Sequence, residues 1–449
     1  MATPMRHINS IYVNDVPGFP PRLTVRTIEL PREPELLGIL PTAHPLAWVR
    51  HGQGLVGWGT AARLNLPAET DTAPGRPGQR FADARRWFAD LLAGARIEDA
   101  VGLPGTGPVA FASFTFDPAS AESVLIVPRI LVGRRDGRAW LTTVTEGEPA
   151  AEDTVLPRVA EPAPIGTLHW SVGTLGPHRW ATAVATAVRR IQVGELDKVV
   201  LARDLRAHAG ADIDTRTVLS RLAGDFADCY TFSVAGLVGA TPELLLRRDT
   251  TAETGTFPGD SPADTVASLV LAGTRSRGAT HVEDEKLAEE LCFSIKDAEE
   301  HRYAVDSLRE TLAPLCSHID VPSRPELLRL RNVQHLASPV QARLRAGIST
   351  LDVVAALHPT AAVGGTPTAR AMGLIRELEG MDRGRYAGPV GWMDAHGAGE
   401  WGIALRSAMI DGSEARLFAG CGIVAGSDPE AELAEASSKF RVMRGALTD

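Results

Sequence analysis

Residues 417–439 read LFAGCGIVAGSDPEAELAEASSK. The apolar run at its start belongs to a strand predicted over 415–424, and Pro429 opens a helix predicted over 429–445. Between them, Gly420, Gly422 and Gly426 mark a strand-to-helix turn, whose backbone N–H groups are suited to an anion, although a plain tight turn gives the same pattern. On the helix, Glu432 and Glu435 stand three residues apart and Lys439 four further on, so all three share one face.

Working outward, strands are predicted at 387–394 and 402–411, and helices at 351–357 and 366–378. A charged helical stretch covers 281–312. Further upstream come strands at 198–205, 230–234 and 244–247 and a helix at 180–194. The N-terminal part offers strands at 55–59, 110–116 and 123–132 and a helix at 81–92. Strands and helices mix without a regular βαβ alternation, so the class is α+β rather than a doubly wound sheet. Residues 67–78 read as a loop and 146–164 as a linker rich in Ala, Pro and acidic residues. The chain is accordingly divided into residues 1–165 and 166–449.

Composition excludes several roles. The chain has 449 residues, 44% apolar and 22% charged, with a formal net charge of −9. Nucleic acid and anionic membranes call for clustered Lys and Arg, which an acidic chain is poorly equipped to supply. No apolar run suits a membrane span and residues 1–14 do not read as a signal peptide, so the expected location is the cytoplasm. The four cysteines, Cys229, Cys292, Cys316 and Cys421, show no paired spacing and read as reduced thiols. Gly52, Gly54 and Gly57 fit a dinucleotide fingerprint, but they run into strand-like residues instead of a helix start, which makes them a turn.

Three constellations carry chemistry. Asp297 and Glu300, three apart in the helical stretch KDAEEH, mirror Glu432 and Glu435. Two such faces brought together make an oxygen cage suited to Mg²⁺, although each face alone is an ordinary solvated surface. Lys198 opens the apolar strand KVVLAR, where partial desolvation makes a lysine a candidate base. Glu243 follows Gly239-Ala240-Thr241-Pro242 and precedes an apolar run; a carboxyl held against such a surface is a candidate acid.

Taken together in order, these stretches resemble the catalytic region of the chorismate-utilising enzymes. The matching segments are KVVLAR (198–203), ATPELL (240–245), LAGTR (271–275), SIKDAEEH (294–301), VQHLAS (333–338), LHPT (357–360), DRGRYAGPVGW (382–392), GEWGIALR (399–406) and residues 417–439, with a weaker match at ASFTFD (112–117). The resemblance implies a two-sheet β core with helices outside and a site in the cleft between layers. It implies that Glu300 and Glu435 bind Mg²⁺ directly, with Asp297 and Glu432 beside them. It assigns Arg406, assisted by Tyr386, to the enolpyruvyl carboxylate of chorismate, and Gly420 and Lys439 to charge neutralisation. Ala362 and Thr274 also fall in its substrate site. Lys198 is then the base for water and Glu243 the acid for the departing hydroxyl.

Within the family, Lys198 and Ala272, the latter standing where some amine-adding relatives carry a nucleophilic lysine, favour water addition and isochorismate, for menaquinone or a siderophore. No glutaminase partner is expected, and the expected state is a monomer. Tyr386 and Leu405 resemble choices made by salicylate synthases, which go on to eliminate pyruvate. Residues 254–268 read as an inserted surface loop.

Overall fold

The computed structural model describes residues 22–69, 78–148, 156, 159–249, 265–331 and 333–448, the side chains of Lys296 and Glu300 excepted. Most of the 67–78 loop, much of the 146–164 linker and most of the 254–268 insertion lie outside the described residues.

Two antiparallel-dominated sheets form the core, in an α+β arrangement. From one edge, the larger runs Leu168–Val172, Lys198–Ala209, Glu414–Ile423, Ser407–Asp411, Leu237–Thr241, Tyr230–Val234, Leu46–Arg50, Gln53–Trp58, Ile130–Arg135, Arg138–Glu146, Leu23–Glu29 and Arg96–Asp99. Gly365–Thr366 pairs beside Lys198. The second runs Cys316–Asp320, Val333–Leu344, Thr265–Ser276, Leu244–Arg248, Gly399–Ile403, Pro389–Asp394, Val109–Ser113, Ser123–Val127 and Ala62–Leu66, with Glu326–Arg329 also paired on Val333–Leu344. Strands from both ends of the chain stand side by side: Leu46–Arg50 pairs with Tyr230–Val234, and Val109–Ser113 with Pro389–Asp394.

Side-chain alternation explains how the layers stack. On Leu46–Arg50, Leu46 and Trp48 join Phe111, Trp392 and Phe232 in the core between the sheets. Ala47 and Val49 point the other way, into a core capped by Val218, Leu219 and Leu222 of the helix Thr215–Asp225 and by Phe440 and Met443 of the helix Pro429–Leu447. On Val109–Ser113, Phe111 faces the sheet-to-sheet core, while Ala110 and Ala112 pack in a core with Phe81 and Phe88 of the helix Gln79–Ala93. A strand covered on both faces has no polar side, so all five of its residues are buried.

Three expectations change. The strand read over 123–132 is two, Ser123–Val127 and Ile130–Arg135, in different sheets and separated by Pro128, which cannot donate to a ladder. The strand read over 402–411 is also two, Gly399–Ile403 and Ser407–Asp411, again in different sheets. The helical stretch 281–312 breaks at Ser294, whose extended backbone ends His281–Phe293 while its hydroxyl accepts from the Asp297 amide to start Ile295–Leu312. Gly52 lies in the hairpin between Leu46–Arg50 and Gln53–Trp58, where His51 (φ 50°) and Gly52 (φ 72°) adopt the left-handed pair such two-residue turns favour.

Candidate active site

The chain crosses from one sheet to the other at two points that touch. After Leu237–Thr241 of the larger sheet, Pro242 and Glu243 lead into Leu244–Arg248 of the second. After Gly399–Ile403 of the second, residues 404–406 lead back into Ser407–Asp411. The crossings are stitched together by the Ile403 amide donating to the Glu243 carbonyl (3.2 Å) and the Ala240 amide donating to the Arg406 carbonyl (3.2 Å). A Cβ at Gly239 would sit 2.8 Å from the Arg406 carbonyl oxygen, so this approach requires glycine. Arg406 itself is held at φ 49°, an uncommon left-handed conformation for a residue with a side chain. Glu243 and Arg406 are thus placed by one backbone device.

Burial pushes the Glu243 carboxyl up to about 7, with Lys198 and Arg406 nearby pulling the other way. The residue as a whole is half-buried. Burial lowers the Arg406 guanidinium from its ordinary value, opposed by Cys229 and Glu243. Its Nη1 reaches the buried Cys229 Sγ at 3.9 Å.

Lys198 begins Lys198–Ala209 and is fixed on two sides. Its register partner on one side is Thr366, and the neighbouring Asp197 amide donates to the Thr366 carbonyl (2.8 Å). On the other, Val199 pairs with Ile423. The lysine side chain crosses Gly422, where a Cβ would lie 2.9 Å from its Cε, so the glycine makes room for it.

Further along this ladder Ala202 pairs with Gly420. The Ala202 amide points outward, to Glu379 (2.7 Å), so this is a pair whose polar groups face away from each other. The Gly420 N–H and C=O consequently face outward on the far side of their strand, and the carbonyl accepts from Lys439 Nζ at 2.8 Å. The glycines of 420–422 therefore lie within a strand, not in a turn. The helix start beyond them is capped by Asp428, which accepts from the Ala431 amide.

Lys439 also reaches Glu435 Oε1 at 2.8 Å. Burial lowers its pKa, but Cys421 and Glu435 outweigh that and hold it above the usual value. Glu432 is raised by burial, against the hydroxyl of Ser427 and reinforced by Glu435. The acceptor atoms of Glu432 and Glu435 and the thiol of Cys421 lie within 4.8 Å of one another. Asp297 stands outside that group, buried at the start of its helix with Oδ2 3.1 Å from Arg275 Nη2. The Glu300 side chain lies outside the described residues. Two carboxylates on one helix face match the hard oxygen donors that Mg²⁺ prefers.

Thr274 follows a bulge at Gly273, whose φ of 76° suits glycine, and its Oγ1 pairs with His335 Nδ1 at 2.9 Å. Burial, Arg406 and Lys439 hold His335 down near 4, so the ring is neutral. Tyr386 is buried and stacks on Phe418 at 5.0 Å between centroids, while Ala362 is exposed in the segment before Gly365. Sequence reasoning assigned no role to His335, Cys229 or Glu379. His335 was visible only as one letter of VQHLAS, and Glu379 gave no local signal at all.

Known proteins resemble this chain over most of its length. The profile of the family described as "Chorismate binding enzyme" matches residues 49–448. The isochorismate synthase MenF of Bacillus subtilis is 34% identical over 378 residues, covering 78% of this chain and 77% of that protein. The salicylate biosynthesis isochorismate synthase of Pseudomonas aeruginosa is 34% identical over 434 residues, covering 90% and 84%. The structure of MenF, the menaquinone-specific isochorismate synthase of Escherichia coli, superposes with a TM-score of 0.73 at 27% identity, covering 96% of this chain and 95% of that one.

Proposed function

The chain belongs to the chorismate binding enzymes, and we propose that it is an isochorismate synthase, an isomerase that adds water to chorismate at C2 and expels the C4 hydroxyl. The observation that carries this is the placement of Glu243, a carboxyl raised to about 7, in the joint field of Lys198 and Arg406.

Such a carboxyl holds a proton near neutrality and can give it to a leaving hydroxyl. Lys198 takes a proton from the attacking water. One proton is thus taken up and one delivered, and the product is an isomer of the substrate. Arg406 binds the enolpyruvyl carboxylate with its planar fork, in a site where burial strengthens the pairing. Lys439 and the outward N–H of Gly420 favour negative charge beside them. Thr274 and His335, joined to each other, border the same space.

Glu432 and Glu435, with Asp297 and Glu300 on the other helix, would hold Mg²⁺, which would neutralise the ring carboxylate. The same reading has the protein work in the cytoplasm, as a monomer and without a glutaminase.

The test is incubation of the purified protein with chorismate and Mg²⁺, product separation and a parallel pyruvate assay. Isochorismate without enzyme-dependent pyruvate is the expected result. Salicylate with an equal amount of pyruvate, or ammonia-dependent anthranilate, would overturn it.

A further inference from the structure

Arg406 and Cys229 come from different segments that meet at one end of the larger sheet. Leu237–Thr241 lies between Tyr230–Val234 and Ser407–Asp411 and runs antiparallel to both. Cys229 immediately precedes the first of these flanking strands, Arg406 immediately precedes the second, and Glu243 follows the strand between them, so all three stand at the same end. Two strand spacings, roughly 10 Å, separate the flanking positions. The Arg406 side chain reaches across them, bringing Nη1 to Cys229 Sγ at 3.9 Å. The cysteine is itself fixed, with its side chain buried and its amide donating to the Phe226 carbonyl (2.9 Å).

The charge balance at this contact differs from that of other buried arginines in the chain. Arg383 holds Glu379 and Arg216 holds Asp214, so each guanidinium is neutralised inside the protein. Among the described residues Arg406 has no carboxylate in ion-pair contact, and Cys229 Sγ is the only hydrogen-bond partner of its side chain. Burial raises the thiol above its ordinary range, so it stays protonated and neutral near pH 7. None of the Arg406 nitrogens is both buried and unpartnered, so those not given to sulfur open onto solvent. A neutral acceptor of this kind orients a guanidinium without cancelling its charge.

We propose that Cys229 is a positioning residue for Arg406: its thiol holds one arm of the guanidinium fork, leaving the other N–H groups and the whole positive charge for the substrate carboxylate. The inference rests on the reading of Arg406 as the grip on the enolpyruvyl carboxylate of chorismate. Thiol sulfur is a weak acceptor, so the effect is that of one modest hydrogen bond.

Steady-state kinetics, chorismate binding and thermal midpoints of two full-length variants test this. Cys229→Val keeps an apolar side chain of similar volume in the cluster with Val218, Leu219 and Leu222 but removes the acceptor. Cys229→Ser keeps an acceptor but puts a hydroxyl in that cluster. Cys229→Val should raise KM and Kd for chorismate by about three- to tenfold, the range of one hydrogen bond, with kcat close to wild type, as expected when binding alone is lost. Cys229→Ser should recover most of this affinity although it is the less stable variant. A thiol that only fills space gives the opposite order, with Cys229→Val binding like wild type and Cys229→Ser impaired, and that order overturns the proposal. Should Cys229→Val fail to fold, Cys229→Ala takes its place in the same comparison. Arg406→Lys separates the proposal from the reading beneath it. If Arg406→Lys weakens chorismate binding and Cys229→Val does not, the positioning role falls and the grip stands. If Arg406→Lys binds chorismate like wild type, the grip falls and the positioning role falls with it.

Discussion

The Ala202 amide donates to Glu379 at 2.7 Å, so the strand that carries Lys198 is anchored at its fifth residue by a carboxylate from the helix Thr368–Glu379. Glu379 is 1% exposed and is gripped by Arg383 Nε at 2.9 Å. Arg383 in turn donates to the carbonyls of Val200 (2.7 Å) and Val363 (2.9 Å). One buried pair therefore joins the lysine strand, the segment containing Ala362 and the segment containing Tyr386.

Glu379→Ala should be strongly destabilising, because it leaves a buried guanidinium without its anion and the Ala202 amide without an acceptor. Removing one partner of a buried pair costs about 3–5 kcal/mol. Glu379→Gln keeps an acceptor for Ala202 and should lose less. Urea unfolding midpoints of the two variants check this; equal midpoints for wild type and Glu379→Ala would show that the pair contributes nothing to the fold.

Glu243 makes two linked predictions about pH. As the acid it must be protonated, so kcat/KM should fall as pH rises through about 7, by roughly tenfold per unit once well above it. Its folded pKa is raised from 4.5, so the stability linked to its neutral form is complete below 4.5 and is lost as pH rises through about 7. Glu243→Gln, always neutral, should be inactive yet more stable than wild type at pH 8, by on the order of 2–3 kcal/mol. The gap should close toward pH 4.5. A gap independent of pH would remove burial as the cause of the shift.

The parts of this site that sequence made legible are those where one residue type in one local pattern does the chemistry. Lys198 at a strand mouth, Glu243 after a proline turn and the carboxylates three apart on a helix all have that form, and in the structure Lys198 and Arg406 act on Glu243, Arg406 and Lys439 act on His335, and His335 pairs with Thr274. Illegible were the relations that need distant segments. Nothing near Leu46 announces that its strand lies beside Tyr230–Val234. The sheet changes at 128–129 and at 404–406 are hidden because the 123–132 and 402–411 runs are mostly apolar on both sides of the switch, so neither run shows a change of period. The strand Thr265–Ser276 falls partly in the stretch read as an insertion and partly in the LAGTR motif, because TVASLVLAGTRS carries no sustained apolar–polar alternation; its residues are a mixture of buried, half-buried and exposed. Glu379 was missed because a charged residue at a helix end is ordinarily a solvated one.

Lys198→Ala should lower turnover by about 10²–10⁴-fold, the range that a positioned proton acceptor supplies, while chorismate binding stays close to wild type. The lysine's strand is held by backbone pairing to Gly365–Thr366 and Glu414–Ile423, so truncating its side chain leaves the frame in place. Product analysis together with chorismate binding followed by tryptophan fluorescence separates the two effects. Near-normal turnover in this variant would take the base role from Lys198.

Glu435 has two neighbours that compete for it: Lys439 at 2.8 Å, and any cation shared with Glu432. Glu435→Gln removes the charge that serves both. If the carboxylate is a metal ligand, the Mg²⁺ concentration for half-maximal turnover should rise by about 10–100-fold, and saturating Mg²⁺ should recover part of the rate. If its role were only to hold Lys439, the Mg²⁺ titration would be unchanged and KM for chorismate alone would move, because the ammonium would still be anchored on the Gly420 carbonyl but without its counter-charge. Lys439→Met gives the opposite signature. It removes the competing cation from Glu435, so Mg²⁺ should bind more tightly while KM for the anionic substrate rises. Mg²⁺ titrations of turnover for the two variants, run side by side, distinguish ligand from prop, and identical curves for wild type and Glu435→Gln would exclude Glu435 from the ligand set.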